Sequence, residues 1–434
     1  MKKKKIHEAV TALQDEIVNW RRDFHRYPEA GWTEFRTAAK IAEKLTMLGY
    51  EVKLGEEVID KAAMMGVPST AELAENMARA ARQGGNGELI EAMRGGLTGV
   101  VGILRGKRPG PVLALRFDID ANEVLEAATA THRPWQEGFA SQNKGVMHAC
   151  GHDGHAAIGL GVASVLATLT EELSGSVKLI FQPAEEGVRG AKAMVEAGVV
   201  DDVDYLLGMH IGFLADRSGL LVCGTDGFLA TTKLDVAFKG VPAHAGAAPQ
   251  EGRNALLAAA NAALNLHAIS RHSGGISRIN VGVLEAGSGR NVIADRALLK
   301  LETRGETTQI NQYMKEEALR VIAGAAAMYG VTAESVETGG ASGGSSDAAL
   351  ALRLGKVAEC QGAFEKLQES GSLGASEDFT CFLERVQQRG GQGSYAMLGI
   401  NRTAGHHDGA FDFDEAVLAQ AVELIVLTAC DIVA

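Results

Sequence analysis

Cysteine is scarce here: five residues (Cys150, Cys223, Cys360, Cys381 and Cys430) lie scattered through 434 positions. An odd and dispersed set offers no disulfide framework and suits a reducing compartment, so the cytoplasm is the expected location. Proline is also sparse at 8; with 46% hydrophobic and 22% charged residues, this excludes collagen-like, mucin-like and disordered chains. Positive charge is in short supply, since 42 Lys+Arg against 54 Asp+Glu gives 42 − 54 = −12 with His neutral. Nucleic-acid backbones need a basic footprint, so no nucleic-acid partner is expected. The one basic cluster, residues 2–5, is short, and no apolar stretch follows it to make a signal peptide. Long apolar runs are missing too. The best candidate for a membrane span, residues 156–169, falls short of the roughly 20 residues a bilayer demands. A soluble chain of two or three domains is expected, at roughly 100–200 residues per domain.

What is present is alternation. Helical periodicity covers residues 6–24 and 34–48, the second run ending at Gly49. Short apolar runs at 100–104, 112–117, 177–181 and 205–209 then alternate with helical patterns at 156–173 and 192–197. This order predicts an α/β fold with a mostly parallel central sheet flanked by helices. After Gly227 the pattern changes to strand 229–238, helix 252–270, strands 277–285 and 297–303, helix 307–328 and strand 331–337. The order β-α-β-β-α-β is that of a ferredoxin-like domain. The expected organisation is a catalytic domain in two parts, 1–228 and 342–434, with an inserted lid or dimerisation domain at 229–341. The Gly/Ser-rich stretch 339–346 reads as the return linker. An Ala-, Met- and Glu-rich segment, 61–96, carries Ser69 and Glu72 at capping-box spacing and reads as a helical insertion.

Four apolar runs are each followed by side chains that bind metals or move protons. The run at 112–117 leads into Asp118 and Asp120, that at 177–181 into Glu185 and Glu186, and that at 205–209 into His210. The fourth, at 395–400, leads to His406 and His407. Ligands in open α/β sheets collect beyond the carboxyl ends of the strands, so these groups are expected along one edge. The densest contribution is His148-Ala-Cys150-Gly-His152-Asp153-Gly-His155. Any one of these residues suits a structural role, but three His, one Cys and one Asp within eight positions suit a Zn2+ or Mn2+ site. Zinc deaminase and His-Glu-x-x-His signatures are both absent. In the Glu185-Glu186 pair, one carboxylate can bind metal while its neighbour serves as a general base.

These residues carry a resemblance. Arg21-Arg22-Asp-Phe-His25-Arg-Tyr-Pro28-Glu29, Arg116-Phe-Asp118-Ile-Asp120, Met147-His-Ala-Cys-Gly-His-Asp-Gly-His155, Phe181-Gln-Pro-Ala-Glu-Glu-Gly187, Gly208-Met-His210 and Gly374-Ala-Ser-Glu-Asp-Phe379 follow one another along nearly the whole chain. In that order they resemble the co-catalytic metallopeptidase family that includes aminoacylases, auxin-conjugate hydrolases and glutamate carboxypeptidases. The insertion at 61–96 and the run from Arg271-His272 to Tyr313 look most like the branch that hydrolyses p-aminobenzoyl-glutamate.

The resemblance implies a site for two divalent metal ions, Mn2+ or Zn2+, with ligands Cys150, His152, Glu186, His210 and His407. Cys150 would bridge the ions, at a position some relatives fill with Asp. Glu185 would be the general base, and Asp120 would orient a ligand. His407 matches the last ligand by preceding Phe411 by four residues. Gly409 replaces the family's Pro there and His406 is adjacent, so either His can be read as the ligand.

His244, in Pro242-Ala-His-Ala-Gly246, matches a histidine that reaches a neighbouring subunit's site, which implies a homodimer through the lid. Asn291 and Arg304 match substrate-binding positions, and Arg290 is a further cation for a second carboxylate. His25 and Glu29 read as structural. The implied activity is cleavage of the amide between an aromatic acyl group and glutamate. Two alternatives stand beside it: a general N-acyl-amino-acid hydrolase, and a non-catalytic chain paired with a paralogous B subunit.

Overall fold

The computed structural model describes residues 2–433. The first helices are α1 (Lys2–Arg26) and α2 (Phe35–Met47), followed by β1 (Glu51–Leu54) and the helices α3 (Thr70–Arg82) and α4 (Gly87–Ala92). Then come β2 (Val100–Arg105), β3 (Arg108–Asp118), α5 (Arg133–Gln136), α6 (His152–Ala167), β4 (Ser174–Gln182), α7 (Ala191–Glu196), β5 (Tyr205–Ile211), β6 (Leu220–Val222) and β7 (Thr225–Asp226). The middle of the chain forms β8 (Ala230–Lys239), α8 (Ala255–His267), β9 (Ser277–Ala286), β10 (Arg296–Gly305), α9 (Thr308–Tyr329) and β11 (Thr332–Ala341). The last elements are α10 (Ala348–Gln361), β12 (Lys366–Gln368), β13 (Gly371–Ser372), α11 (Phe379–Gln388), β14 (Gln392–Leu398) and α12 (Ala416–Val433).

Two compact units result. The larger comprises Met1–Asp226, Ser345–Leu373 and Asp378–Ala434. Its sheet has the order β1-β2-β4-β3-β5-β14-β6-β12. The central strands β4, β3, β5 and β14 run parallel, while β1, β2 and the β14–β6 pairing are antiparallel. Because β4, β3, β5 and β14 are parallel neighbours, their carboxyl ends share one edge. Asp118 pairs with Gln182 and His210 with Met397 at that edge. The strands are nearly continuous apolar runs because both faces are covered. Helix α6 is buried along its whole length from His152 to Leu166. Its Gly159 lets Phe181 and Phe117 approach so closely that a Cβ would lie 2.5 Å from the Phe181 ring. Helix α12 is long and apolar enough to cross a bilayer, and exceeds the 156–169 segment that the sequence singled out. It belongs instead to the core, with 72% of it buried against the rest of the fold.

Within residues 61–96 the chain forms α3 and α4. The Ser69–Glu72 capping box is closed in both directions, and Asn86 caps α4 by accepting from Glu88 and Leu89 N–H. These two bonds satisfy amides that a helix start leaves orphaned.

The smaller unit comprises Gly227–Gly344 and Gly374–Glu377. It is an antiparallel sheet of order β11-β8-β10-β9. Leu234, Val236, Leu299 and Leu301 on one face pack with Ala258 and Ala262 of α8 and Met314 and Ile322 of α9. Residues 339–341 correct the sequence reading: they are not linker but the end of β11, paired with Lys233, Thr232 and Thr231 after a bulge at Glu337/Gly339. Glycine composition suggested a linker, whereas the bulge uses the missing side chains inside the sheet.

Candidate metal centre

The His148–His155 segment is a turn feeding α6. Asn122 pairs with Met147 and its side-chain oxygen accepts the Ala149 N–H at 3.1 Å. Gly151 then adopts φ 95°, a left-handed conformation that L side chains resist, and so separates Cys150 from His152 at the helix start. Both nearby histidines have defined tautomers. His152 Nδ1 lies 2.9 Å from the Asp120 carbonyl, and His210 Nδ1 lies 2.8 Å from the Ile211 carbonyl. Carbonyls only accept, so each Nδ1 carries a hydrogen, which leaves each Nε2 as the ring atom available to a metal. His210 Nε2 sits 3.5 Å from Cys150 Sγ.

The second contribution is the loop after β4. Ala184 and Val188 take φ 50° and 57°, and Gly187 takes 90°. Left-handed residues without a glycine store strain of about 1–3 kcal/mol each, which surrounding contacts must hold. Here Glu34 accepts the Ala184 N–H at 2.8 Å and the Thr98 hydroxyl at 2.6 Å. Asp120 Oδ2 accepts the Glu186 N–H at 2.9 Å. Asp378 accepts the Gly190 and Ala191 N–H groups at 3.1 and 2.9 Å, capping α7, and also takes the Gln182 amide at 2.8 Å. Gly190 is obligatory, because a Cβ would lie 1.7 Å from the Pro183 carbonyl oxygen. Arg189 ties the loop to the helical insertion by donating to the Glu186 carbonyl at 3.0 Å and the Gly66 carbonyl at 2.9 Å.

These segments converge. The ligand atoms of Cys150, His152 and His210 all lie within 4.8 Å of one another, as do those of Cys150, Glu186 and His407. Cys150 belongs to both groups. His152, Glu185 and Glu186 form a third such group. His407 Nε2 is 3.3 Å from Glu186 Oε1, on a backbone of φ 66°. His406 is turned elsewhere: its ring stacks on Phe213 at 4.1 Å, its Nε2 lies 3.1 Å from the Ile211 carbonyl, and its Nδ1 2.9 Å from Arg402. Of the two adjacent histidines, the geometry brings only His407 to the cluster.

Buried polar atoms test whether the residues fit metal. His152 Nε2 is buried and makes no hydrogen bond, while Glu186 Oε1 and Asp120 Oδ1 are buried with only long contacts, 3.3 Å to His407 Nε2 and 3.3 Å to His152 Nδ1. Such atoms are costly unless something satisfies them, and a divalent cation beside thiolate, imidazole and carboxylate does so. The residues fit. Electrostatics agree: burial penalises the His152 cation, yet Asp118, Asp120 and Glu186 outweigh that and raise it to about 10. A field of carboxylates that holds a proton there also favours a metal cation. Glu186, opposed by burial but favoured by His407 and His152, is lowered to about 2 and stays ionised. Burial and the neighbouring His155 keep His210 neutral, the form that ligates metal.

The sequence names Asp118 and His155 among the metal-type residues, and the structure places them in a layer behind the cluster. Asp118 binds His155 Nδ1 directly and also meets Arg116, while His155 Nε2 accepts the Ile211 N–H at 3.0 Å. This fixes the backbone beside His210. Glu34 was not singled out, and Asp378 was noted only within its motif. His25 lies between Asp153 and Glu126 at 2.8 and 2.9 Å, and Glu29 accepts the Arg36 and Thr37 N–H groups at the start of α2. Both are structural in position.

In the smaller unit, His244 is exposed. Its Nδ1 accepts from the Gly246 and Ala247 N–H groups, each at 3.1 Å, so Nε2 carries the hydrogen and presents it outward as a donor. Asn291 is its neighbour: the Asn291 carbonyl accepts the Ala245 N–H at 3.0 Å, and His244 pairs with Val292. Arg304 is half-buried on β10 and paired with Glu302 at 3.0 and 3.2 Å.

Comparison with known proteins gives this arrangement its family. Residues 114–431 match peptidase family M20/M25/M40. The chain belongs to that family. Two curated members are each 51% identical over 98% of this chain and 97% of their own length: one of the subunits of p-aminobenzoyl-glutamate hydrolase from Escherichia coli K12, and indole-3-acetyl-aspartic acid hydrolase from Enterobacter agglomerans. Among solved structures, the aminobenzoyl-glutamate utilization protein of Klebsiella pneumoniae superimposes with a TM-score of 0.85 at 45% identity, covering 98% of this chain and 97% of that one. A dinuclear metal-binding M20 peptidase of Bacillus subtilis gives 0.65 at 26%, covering 97% and 98%.

Proposed function

We propose that this M20 chain is a dinuclear metal amidohydrolase that cleaves p-aminobenzoyl-glutamate to p-aminobenzoate and glutamate. The observation that carries the reading is Cys150, whose Sγ belongs to two separate groups of ligand atoms beside Glu185. In this reading His152 and His210 with Cys150, and Glu186 and His407 with Cys150, would hold two divalent ions, Mn2+ or Zn2+. Such ions would supply positive charge able to acidify a water and polarise an amide carbonyl. Glu185 takes the water's proton and returns it to the leaving nitrogen, which could not depart as an amide anion. Asp120 keeps His152 in its tautomer through its backbone carbonyl.

His244 supplies a hydrogen bond to the developing oxyanion, contributed as in the family by a second copy of the chain, so the active form is a homodimer. Asn291 and Arg304 bind a substrate carboxylate, with the guanidinium as a planar fork. The substrate follows from the two 51% relatives: their named substrates differ in acyl group, indole-acetyl against p-aminobenzoyl, but both carry a dicarboxylic amino acid. The Escherichia coli relative is named as one component of a hydrolase with more than one kind of chain, which supports a paralogous B subunit in the role of partner. The odd and scattered set of five cysteines supports a reducing cytoplasm.

The test is p-aminobenzoate release by the purified chain after chelation and metal add-back, with Glu185→Gln alongside. Metal-restored turnover that falls roughly 100-fold or more in the variant is expected. Equal turnover in the variant, with or without an added B subunit, would sink the assignment of the base to this chain.

A further inference from the structure

A cavity of about 510 Å3 opens on the smaller unit, lined by Arg271, Ser277, Arg278, Asn280, Glu302 and Arg304 together with Ile279. Its charge is unusual for a sheet surface. Arg304 of β10 stands directly opposite Arg278 of β9, and Glu302 opposite Asn280. Like charges facing each other across strands are destabilising unless an anion sits between them. The one carboxylate of the lining, Glu302, is two residues from Arg304 on the same face and engages that guanidinium alone. Among the described residues neither Arg271 nor Arg278 has an acidic partner; Arg271 donates only to the Ile269 carbonyl at 3.0 Å. Three guanidinium groups against one carboxylate leave two positive charges without a counterion. Ser277 and Asn280 add neutral polar groups to the same wall. The volume lies within the range of small-molecule pockets, roughly 300–1,000 Å3.

We propose that this cavity is the subsite for a dicarboxylic amino acid, in which Arg271 and Arg278 bind the side-chain carboxylate beside Arg304. The proposal rests on the reading of the chain as an acyl-glutamate hydrolase and assigns its amino-acid selectivity to two residues that have no role in the site described above. Glu302 acts as a stand-in anion, pairing Arg304 until a substrate carboxylate takes its place. A planar guanidinium discriminates where an ammonium would not, so Arg278→Lys is a graded test beside Arg278→Ala and Arg271→Ala.

The experiment compares p-aminobenzoyl-glutamate with p-aminobenzoyl-glutamine and p-aminobenzoyl-alanine on the metal-loaded full chain. The alanine variants are expected to lose roughly 10- to 100-fold in kcat/KM on the glutamate substrate, mostly through KM. Turnover of the glutamine and alanine substrates stays unchanged and reports that the variants fold. Arg278→Lys recovers part of the loss. Equal losses on all three substrates, or no change in preference, would overturn the subsite. Calorimetric binding of glutarate separates this outcome from failure of the activity. A chain that binds glutarate through Arg278 without hydrolysing p-aminobenzoyl-glutamate keeps the subsite and loses the proposed activity. A chain that hydrolyses it with unaltered selectivity in the variants keeps the activity and loses the subsite.

Discussion

Glu34 Oε1 accepts the backbone N–H of Ala184 at 2.8 Å, one residue before Glu185. A buried carboxyl group therefore braces the strained turn that carries the proposed base. Burial raises Glu34 to about 8, with the nearby Asp120 carboxylate acting in the same direction.

The raised value has a sign. The folded state holds a proton on Glu34 that the unfolded chain releases near its ordinary value, 4.5. Stability contributed by this group is therefore greatest at acid pH and declines as pH rises from about 4.5 to about 8. Glu34→Gln imitates the protonated form. We expect the variant to exceed the parent in stability by about 1 kcal/mol or more at pH 8, with the gap closing toward pH 5. Urea melts of both proteins across that range decide the matter; parallel curves would count against it.

Cys150 makes a prediction about stoichiometry. If one thiolate serves both groups of ligand atoms, Cys150→Ala lowers bound divalent metal from about two ions per chain to one or fewer. Cys150→Asp supplies a bridging carboxylate and retains about two. Metal content by plasma mass spectrometry after dialysis tests this without any activity assay, and an alanine variant that still holds two ions would refute the bridge.

Arg21 makes a prediction about stability. Its guanidinium is fully buried and reaches Asp153 at 2.7 Å, Asp412 at 2.8 Å and Glu415 at 3.1 Å. Burial disfavours its charge, and these three carboxylates more than compensate, so it stays protonated. Arg21→Met strands buried acids and is expected to cost about 3–5 kcal/mol. Denaturant unfolding measures it, and a loss under about 1 kcal/mol would mean that water or Arg133 takes over the network.

Much of this was legible in the chain because strand ends announce themselves. Apolar runs closed by Asp118, Glu185-Glu186 and His210 marked the shared carboxyl edge, since parallel strands covered on both faces must be apolar until they emerge. The choice between His406 and His407 was not legible, because adjacent residues share every sequence cue. It rests on the left-handed backbone of His407 and on Phe213, which claims the other ring. Glu34 was illegible for a different reason: it reads as an ordinary acid at the start of α2, while its partner Ala184 is 150 residues distant. The glycines at 339–341 misled because composition cannot distinguish a linker from a bulged strand. Helix α12 is less conspicuous than residues 156–169 as an uninterrupted apolar run because Glu423 and Asp431 break it, although they are its only acidic residues.

The larger unit is assembled from three pieces of chain, and its core joins Ile6, Val10 and Ile17 of α1 to Leu418, Val422 and Val426 of α12. Some 390 residues separate the end of α1 from the start of α12. At roughly 5–20 residues per second of synthesis, the first helix waits on the order of 20–80 s for the surface that covers it. The nearly continuous smaller unit can close its own core well before then. During translation, then, a nascent chain with its small domain already closed still exposes the apolar faces that α12 covers, and the exposure lasts until that helix is made.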